Sequence, residues 1–181
     1  VVQTPYSFAD SLKSDSIYPD ILLGTKNVSV GSHSITAWSS LPNGLADNNI
    51  GNDSASISFY ACSGLLNGVY TIGGTNPDFA TFNAAALALD QCGISGPVTF
   101  NVASGTYTEQ VELGAINGAS ATNTITFKSS AGDSSLVMVE FDATGSMDNY
   151  IVKFNYASHY ILKDMTFNSL DTNFARAIVF E

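Results

Sequence analysis

GPVTFNVASGTYTEQVEL, residues 96–113, contains two short runs in which apolar and polar side chains alternate, with Gly105 between them. Alternation with a period of two is typical of β-strands that have one buried face, and the glycine predicts a corner between two strands. Similar runs follow to the end of the chain. The phenylalanines that end four of them lie 27, 13 and 13 positions apart, at Phe127, Phe154, Phe167 and Phe180.

These gaps are multiples of about half a coil of a right-handed parallel β-helix, in which coils of roughly 20 to 27 residues place like side chains above one another. Residues 96–113 then form the first coil. The alternation predicts strands over 98–102, 108–113, 125–128, 137–141, 151–154, 161–167 and 177–180.

A helix is predicted only in TNPDFATFNAAALALDQCG, over residues 77–90, with Asn76 or Thr75 as its N-cap and Gly93 at its end. Its apolar stripe consists of alanines together with Phe79, Phe82 and Leu89. Because the open end of a β-helix exposes apolar side chains and strand edges, we expect this helix to cover the first coil.

The residues before the helix have a different pattern, with strands predicted at Ile21–Leu23, Ser34–Trp38 and 54–61, where Ile57 and Phe59 share a face. Three or four antiparallel strands indicate the last part of a β-sandwich, whose remaining strands we expect upstream. The sequence therefore predicts an all-β chain with two parts: 1–61, the C-terminal part of an immunoglobulin-like sandwich, and 62–181, the capped first coils of the β-helix.

Charge argues against several classes of partner. Six basic and sixteen acidic residues give a formal net charge of −10, which repels nucleic acid and anionic membrane surfaces. No apolar run approaches the roughly 18 residues needed to span a bilayer, so no membrane insertion is expected. The chain begins at Val1 without an initiator methionine and stops at Glu181 within a strand pattern, and we expect it to be a piece of a larger protein.

From about Gly64 onward, four segments resemble the pectin lyase-like β-helix superfamily, in particular its pectin methylesterase-like branch: DFATFNAAALAL, GTYTEQVEL, NTITFKS and YILKDMTFNS. The succession GVYTIGG, PDFATFNAA, GPVTFNV and GTYTEQV is similar to the start of β-helix regions in large secreted surface proteins of gliding-type bacteria, exported by the type IX secretion system. VGSHSITAWSSLPNGLADNNIGNDSASISF resembles the last strands of an adhesion-type immunoglobulin-like module in the same proteins.

This resemblance implies an extracellular, surface-associated protein with a structural and adhesive role in attachment or gliding. Its partners would be surface glycans or polysaccharide, together with the secretion and anchoring machinery. The alternative is the non-catalytic front part of a polysaccharide-active β-helix enzyme, and a passive spacer is a third possibility. Pectin methylesterases use glutamines to hold an oxyanion; Arg176 stands where the first is expected, so no catalytic residue and no cofactor is predicted here.

Cys62 and Cys92 lie 30 positions apart without a CxxC motif, which argues against a zinc site. In an oxidising compartment they would form a disulfide, and two buried free thiols are the alternative. In DNNIGND, oxygen-bearing side chains follow the spacing of a calcium loop, but position 58 is serine where a bidentate glutamate would be needed. Asx turns are the favoured interpretation and calcium the alternative; the candidate ligands are Asp47, Asn49 and Asp53.

The remaining polar candidates are weaker. Glu109 and Glu112 face opposite sides of a strand, and with Asp164 and Asp171 they are interpreted as solvated groups. Single histidines, His33 and His159, are interpreted as surface residues. Five aromatic residues could stack on sugars if they shared a face, although packing within coils is the commoner outcome: Trp38, Tyr107, Tyr150, Tyr156 and Tyr160. Three serines follow aspartate in short segments resembling O-glycosylation signals of those bacteria: Ser11, Ser16 and Ser54.

Overall fold

The computed structural model describes residues 4–7, 21–40, 51 and 53–181. Within these ranges lie one α-helix, α1 (Phe82–Cys92), a short 3-10 turn, Ser134–Leu136, and twelve strands. The strands are β1 (Gly31–Trp38), β2 (Ser54–Ala61), β3 (Leu66–Ile72), β4 (Ile94–Val102), β5 (Gly105–Thr108), β6 (Val111–Leu113), β7 (Ile125–Ser129), β8 (Val137–Phe141), β9 (Val152–Phe154), β10 (Tyr160–Lys163), β11 (Thr166–Ser169) and β12 (Ile178–Phe180).

Strands β3 to β12 form three sheets in which every pairing is parallel. The first sheet has the order β3-β4-β7-β10, the second β5-β8-β11 and the third β6-β9-β12. Each successive group of three strands from β4 onward contributes one strand to each sheet and so forms one coil. This is the strand arrangement of a parallel β-helix, and the predicted same-direction stacking is confirmed; the right-handed winding stays a prediction.

The half-coil spacing does not describe how the phenylalanines stack, because they do not form one column. Phe100 stacks on Phe127 in the first sheet, with ring centroids 4.6 Å apart, and Phe154 stacks on Phe180 in the third, at 4.9 Å. Phe167 belongs to the second sheet, where it pairs with Val139. Loops of unequal length connect the strands, so equal spacing in the sequence does not place these phenylalanines in one column; Phe127, for example, is in register with Leu162 on the next coil.

Two predicted strands are each divided in the structure. The run 108–113 contains the end of β5 and all of β6, and the run 161–167 contains parts of β10 and β11. Between the latter two, Asp164 has a φ of 55°, a left-handed conformation that turns the chain from one sheet into the next. A corner therefore interrupts an alternation that looks continuous in the sequence.

The predicted start of the helix at residue 77 is wrong, because the residues before Phe82 bind β3. The Asp78 carboxylate accepts hydrogen bonds from the backbone N–H and hydroxyl of Thr71, both at 2.8 Å, and Phe79 forms a bridge with Ile72. Thr81 is the N-cap, and its hydroxyl accepts a hydrogen bond from the N–H of Ala84 at 3.1 Å. The helix ends at Gly93 as predicted, with φ at 68°.

Helix α1 covers the first coil, as its position in the sequence suggested. Its buried side chains lie on one side, and they are Phe82, Ala85, Ala88, Leu89 and Cys92. Phe82 stacks on Phe127 at 5.7 Å and meets Tyr107 edge to face at 5.2 Å, so it reaches the interior of the coils. The small alanines let the helix approach closely, and the interior beneath Phe82 retains an apolar cavity of only about 10 Å³.

Strands β1 and β2 pair antiparallel, in a separate two-stranded sheet. Residues 21–23 form no strand, contrary to the prediction, and β1 and β2 pair with each other rather than with this segment. One face of the pair is apolar, with Ile35 opposite Ile57, and both side chains are exposed. The immunoglobulin-like assignment and the division at residues 61 and 62 stay predictions. In the described part of the chain, no helix has the length and apolar character needed to cross a membrane.

Candidate functional site

The structure joins Cys62 and Cys92 by a disulfide, with Cα atoms 5.7 Å apart. The bond links the residue after β2 to the last residue of α1. The backbone N–H of Tyr60 also donates a hydrogen bond to the side-chain oxygen of Gln91, one position before Cys92. Two contacts therefore fasten the end of the β1–β2 pair to the capping helix.

The calcium and glycosylation candidates fall partly outside the described residues, where Asp47, Asn49, Ser11 and Ser16 lie. Asp53 is described: its carboxylate accepts a hydrogen bond from the Ser39 hydroxyl at 3.5 Å, and its carbonyl accepts the Ser39 N–H at 2.8 Å. No three potential metal-ligating side chains come together within the described ranges. Ser54, the first residue of β2, is exposed to solvent.

Glu109 has a structural role that sequence reasoning missed. Its carboxylate accepts the backbone N–H groups of Phe82 and Asn83, each at 3.0 Å, and the Asn83 side-chain amide at 2.8 Å. The two backbone groups are among the unpaired donors at the N-terminus of α1, where the helix dipole also favours a negative charge. A carboxylate of the first coil therefore binds the N-terminus of the helix that covers that coil. In the sequence, the only signal for this role of Glu109 is the general need of a helix N-terminus for a hydrogen-bond acceptor.

The other weak candidates serve local structure. Asp171 accepts the backbone N–H groups of Asn173 and Phe174, as expected for a turn, and Asp164 lies 3.8 Å from the Lys163 ammonium. His33 lies 2.7 Å from the carbonyl of Ser29 through Nε2 and stacks on Phe59. His159 is an exposed corner residue with φ at 64°.

The five aromatic candidates do not share a face. The Tyr107 hydroxyl donates to the carbonyl of Ala103 at 2.8 Å, and the Tyr160 hydroxyl donates to that of Gly114 at 3.1 Å, so both belong to the packed interior. Burial, reinforced by the charge of nearby acidic groups, raises the pKa of both phenols. Two of the five are largely exposed, Trp38 on β1 and Tyr156 after β9.

A cluster of polar side chains lies on the outer face of the third sheet. The register places Glu112 of β6 directly beside Lys153 of β9. The Lys153 ammonium lies 3.4 Å from the Glu112 carboxylate and 3.5 Å from that of Glu181, while the Asn155 amide donates to Glu112 at 2.7 Å. We call these four residues, Glu112, Lys153, Asn155 and Glu181, together with the corner residue Tyr156 that follows Asn155, the outer-face cluster.

Lys153 is the centre of this cluster. Desolvation alone would lower its pKa, but the negative charges of Glu112 and Glu181 outweigh that effect, so the pKa of Lys153 is raised above its usual value. The ammonium also lies 5.3 Å from the ring centroid of Tyr150, in cation–π range. Lys153 therefore stays charged at neutral pH and is held by groups from all three coils.

Tyr156 is the unusual member of the cluster. It is 84% exposed, yet its φ is 50°, a conformation that bulky residues rarely adopt. Its backbone N–H donates to the carbonyl of Glu181 at 3.0 Å, which ties it to the end of β12. A large exposed ring therefore lies at the corner that follows β9, where its backbone is hydrogen-bonded to Glu181.

The turn before β9 is also fixed by side chains. The amide of Gln110 donates to the carbonyls of Asp148 and Tyr150, while the Asp148 carboxylate accepts the N–H groups of Thr144 and Gly145 at 2.9 and 2.8 Å. Hydrogen bonds from the backbone and hydroxyl of Thr144 lower the pKa of Asp148. These hydrogen bonds therefore fix the backbone of the turn that leads into β9, the strand that carries Lys153.

The sequence did not reveal this cluster, although Tyr156 was among the aromatic candidates. Lys153 and Glu181 become neighbours of Glu112 only through the register of the third sheet. Arg176, which replaces the glutamine of the esterase pattern, is exposed and precedes β12, and its backbone N–H donates to the Asn149 side chain at 3.0 Å.

No protein-family model matches the sequence, and no curated protein matches it. Among solved structures, a deglycosylated form of the pectin methylesterase from Aspergillus niger is similar, with 19% sequence identity and a TM-score of 0.45. The similarity covers 67% of this chain and 40% of that one, so the chain spans less than half the length of the enzyme. The β-helix assignment rests on the strand pairing described above.

Proposed function

We propose that this chain is a segment of a secreted cell-surface protein, that its work is structural and adhesive, and that the outer-face cluster contacts glycans. The observation that carries the proposal is Tyr156, an exposed ring at the corner after β9 whose backbone has an unfavourable positive φ. Aromatic rings pack against the apolar faces of sugars, while neighbouring carboxylates and amides bind their hydroxyl groups.

The charged members of the cluster also have a plain structural explanation. Glu112, Lys153 and Glu181 come from successive coils, and their ion pairs connect those coils on the outside of the stack. This accounts for the charges but not for Tyr156, whose ring is exposed. Strained conformations are found preferentially at functional sites, and Tyr156 is therefore the residue to test.

The proposal has two further parts: the protein is secreted, and its role is adhesive rather than catalytic. The Cys62–Cys92 disulfide suits an oxidising compartment. The carboxylates nearest to an enzyme-like pair, Glu109 and Glu112, have separate partners, the helix N-terminus for one and Lys153 and Asn155 for the other. Export by the type IX system and a role in attachment or gliding are further parts of the proposal, which rest on the sequence resemblance.

The test is binding of the purified chain to an array of immobilised neutral and acidic polysaccharides. We expect binding that Tyr156→Ala reduces at least about tenfold, as expected when a stacking aromatic contact is lost. Trp38→Ala is the matched control, since it removes another exposed aromatic ring, from β1, and should leave binding unchanged. Binding that survives Tyr156→Ala but not Trp38→Ala would place the site on the β1–β2 pair instead.

The alternatives predict different results. A passive spacer would bind no polysaccharide on the array. If the chain were part of a polysaccharide-active enzyme and held its site, it would release methanol or unsaturated products from methyl-esterified or acidic polysaccharide at ordinary enzyme rates. Such turnover would contradict the adhesive assignment.

A further inference from the structure

We propose that the Cys62–Cys92 bond carries tension past the capping helix, so that α1 stays on the first coil when the chain is pulled along its length. The inference rests on the structural part of the proposed function, because a protein that attaches a cell to a surface transmits tension along its chain. It does not depend on glycan binding by the outer-face cluster. It follows from the position of the bond among the elements of the fold.

The bond closes a loop that contains the cap. Residues 63–91 lie between the two cysteines, and they include β3 and all of α1 except its last residue. Tension that arrives from β2 at Ala61 reaches Cys62 and crosses the bond to Cys92, over a Cα distance of 5.7 Å. From there only Gly93 precedes β4. The covalent path therefore runs from β2 to β4, and β3 and α1 lie outside it.

Strand β4 is a well-anchored end point for this path. It has nine residues and pairs with β3 on one side and with β7 on the other. Four of its side chains are at most 2% exposed, namely Ile94, Val98, Phe100 and Val102. Pulling β4 out of the sheet would break two hydrogen-bonded ladders and expose this apolar surface at the same time, which costs more than removing an edge strand.

Without the bond, tension would enter the coils through β3 instead. This strand lies at the edge of the first sheet, where β4 is its strand partner, and its pairing is irregular between Leu66 and Gly68. The next element along the chain is α1, which non-covalent contacts attach to the coils, among them the hydrogen bonds from its N-terminus to Glu109. Tension would therefore remove β3 and α1 before β4, and the interior around Phe82 and Phe127 would be exposed.

A disulfide that only stabilises the folded state leads to a different expectation. In that case its removal lowers the stability of the whole chain, and no element is protected more than another. The tension path instead predicts that removal creates an early point of failure at β3 and α1. The order in which the elements open under force, rather than the free energy of unfolding, separates the two explanations.

The experiment pulls single molecules of the 181-residue chain in optical tweezers, with one handle at each terminus. The samples are the oxidised wild type, the wild type reduced by a dithiol after folding, and Cys62→Ala combined with Cys92→Ala. The reductant can reach the bond because Cys62 is exposed. Since the reduced wild type folds before its bond is opened, the comparison holds even where the double variant fails to fold. Glu109→Gln with the bond intact is the control, because it weakens the cap without changing the path.

In both samples that lack the bond, we expect an early extension of about 100 Å before the coils open, the length that 30 positions add at roughly 3.3 to 3.6 Å each. The oxidised wild type and oxidised Glu109→Gln should both lack this step. In reduced Glu109→Gln the early step should occur at a lower force than in the reduced wild type, since this carboxylate holds the helix N-terminus.

The inference would be overturned if the samples without the bond released residues 63–91 in the same event as the coils, or after them, because the cap would then need no protection from tension. Glycan binding would stand in that case. Conversely, absence of binding on the polysaccharide array would refute the adhesive role, while the early step would still demonstrate the tension path. The two failures are therefore distinguishable.

Discussion

At the scale of single residues, left-handed backbone conformations separate structural positions from the candidate functional one. Non-glycine residues with positive φ in the described part of the chain are Asn76, Tyr156, His159 and Asp164. Asparagine and aspartate tolerate this conformation because their short polar side chains can hydrogen-bond locally, and histidine is also enriched there. A tyrosine pays a steric cost with no buried surface to offset it, since Tyr156 is exposed.

Replacing Tyr156 by asparagine should therefore stabilise the protein while weakening glycan binding. Asparagine relieves backbone strain, and we expect the free energy of unfolding to rise by about 0.5 to 1 kcal/mol. Urea denaturation measures the gain, and the polysaccharide array measures the loss of binding. The control is Tyr156→Phe, which keeps the ring and should change stability little. A clear loss of stability in Tyr156→Asn would mean that the ring packs and has a structural role.

Tyr160 should make the stability fall in alkaline solution. Burial, and to a lesser degree the charge of Asp90, raises its pKa in the folded protein above the value of about 10 expected in the unfolded chain. The unfolded state therefore loses its proton first, so this contribution to stability is complete below pH 10 and is lost as the pH rises further.

Tyr160→Phe tests this. At pH 7.5 the variant should be less stable by about 1 kcal/mol, because the hydrogen bond to the Gly114 carbonyl at 3.1 Å is lost. Above pH 10 the difference should shrink, since only the wild type keeps this titrating group. Urea denaturation at pH 7.5 and 10.5 measures both values, with the exposed Tyr6→Phe as control. A difference that stays constant between the two pH values would contradict the argument.

At the scale of elements, α1 is important because it is attached to several parts of the fold. Its N-terminus binds Glu109 of the first coil, its C-terminus is bonded through Cys92 to Cys62, and its apolar side faces the interior. A helix of 11 residues would be marginal alone in water. Its stability therefore comes from these tertiary contacts, and each can be removed separately.

Glu109→Gln should destabilise the protein by about 1 to 2 kcal/mol. Glutamine keeps one acceptor oxygen but loses the charge that strengthens the hydrogen bonds to Phe82 and Asn83 and complements the helix dipole. Chemical denaturation measures the effect. Glu140→Gln is the matched control on the adjacent strand β8 and should change stability by less than about 0.5 kcal/mol. Equal effects of the two substitutions would show that Glu109 is not a helix cap.

Removing the disulfide should have a larger effect. A bond that closes a loop across 30 positions stabilises the folded state by about 3 to 4 kcal/mol, on the model in which it restricts the unfolded chain. Cys62→Ala combined with Cys92→Ala should lower the free energy of unfolding by that amount, measured by urea denaturation. The wild type should show no free thiol under denaturing, non-reducing conditions. Two titratable thiols in protein secreted through an oxidising compartment would contradict the bridge.

At the scale of the whole molecule, the coils of this 181-residue chain differ in how far their interior side chains are buried. The first end is covered by α1, and the residues beneath it, such as Phe100 and Val98, are fully buried. In the third coil, Phe180 points toward the interior column above Phe154 yet is 77% exposed. In a chain that comprises these 181 residues, the apolar contribution to stability is therefore greater in the coil next to α1 than in the coil of β10, β11 and β12.

Hydrogen exchange should reveal this gradient. Amides of β10, β11 and β12 should exchange faster than those of β4 and β7, because local opening requires less apolar surface to be exposed there. Exchange followed by mass spectrometry under native conditions gives the order. Uniform protection across all three coils would indicate that the stack opens only as a unit.

Much of the coil architecture was predictable from the sequence. The alternation around Gly105, the alanine-rich helix and its end at Gly93 are local properties, determined by side-chain periodicity and backbone freedom. They correctly predicted a capped stack of parallel strands. The helix start was not predictable in the same way, because Asp78 and Phe79 favour the helix locally but bind Thr71 and Ile72 of β3 instead.

Only the tertiary structure decided the candidate site. Loops of unequal length set which residues of successive coils become neighbours, so Glu112, Lys153 and Glu181 meet although no motif connects them in the sequence. The same is true of Glu109 and the helix N-terminus. The sequence determines the coil through local periodicity, whereas the chemistry of its surface depends on register, which arises from long-range packing.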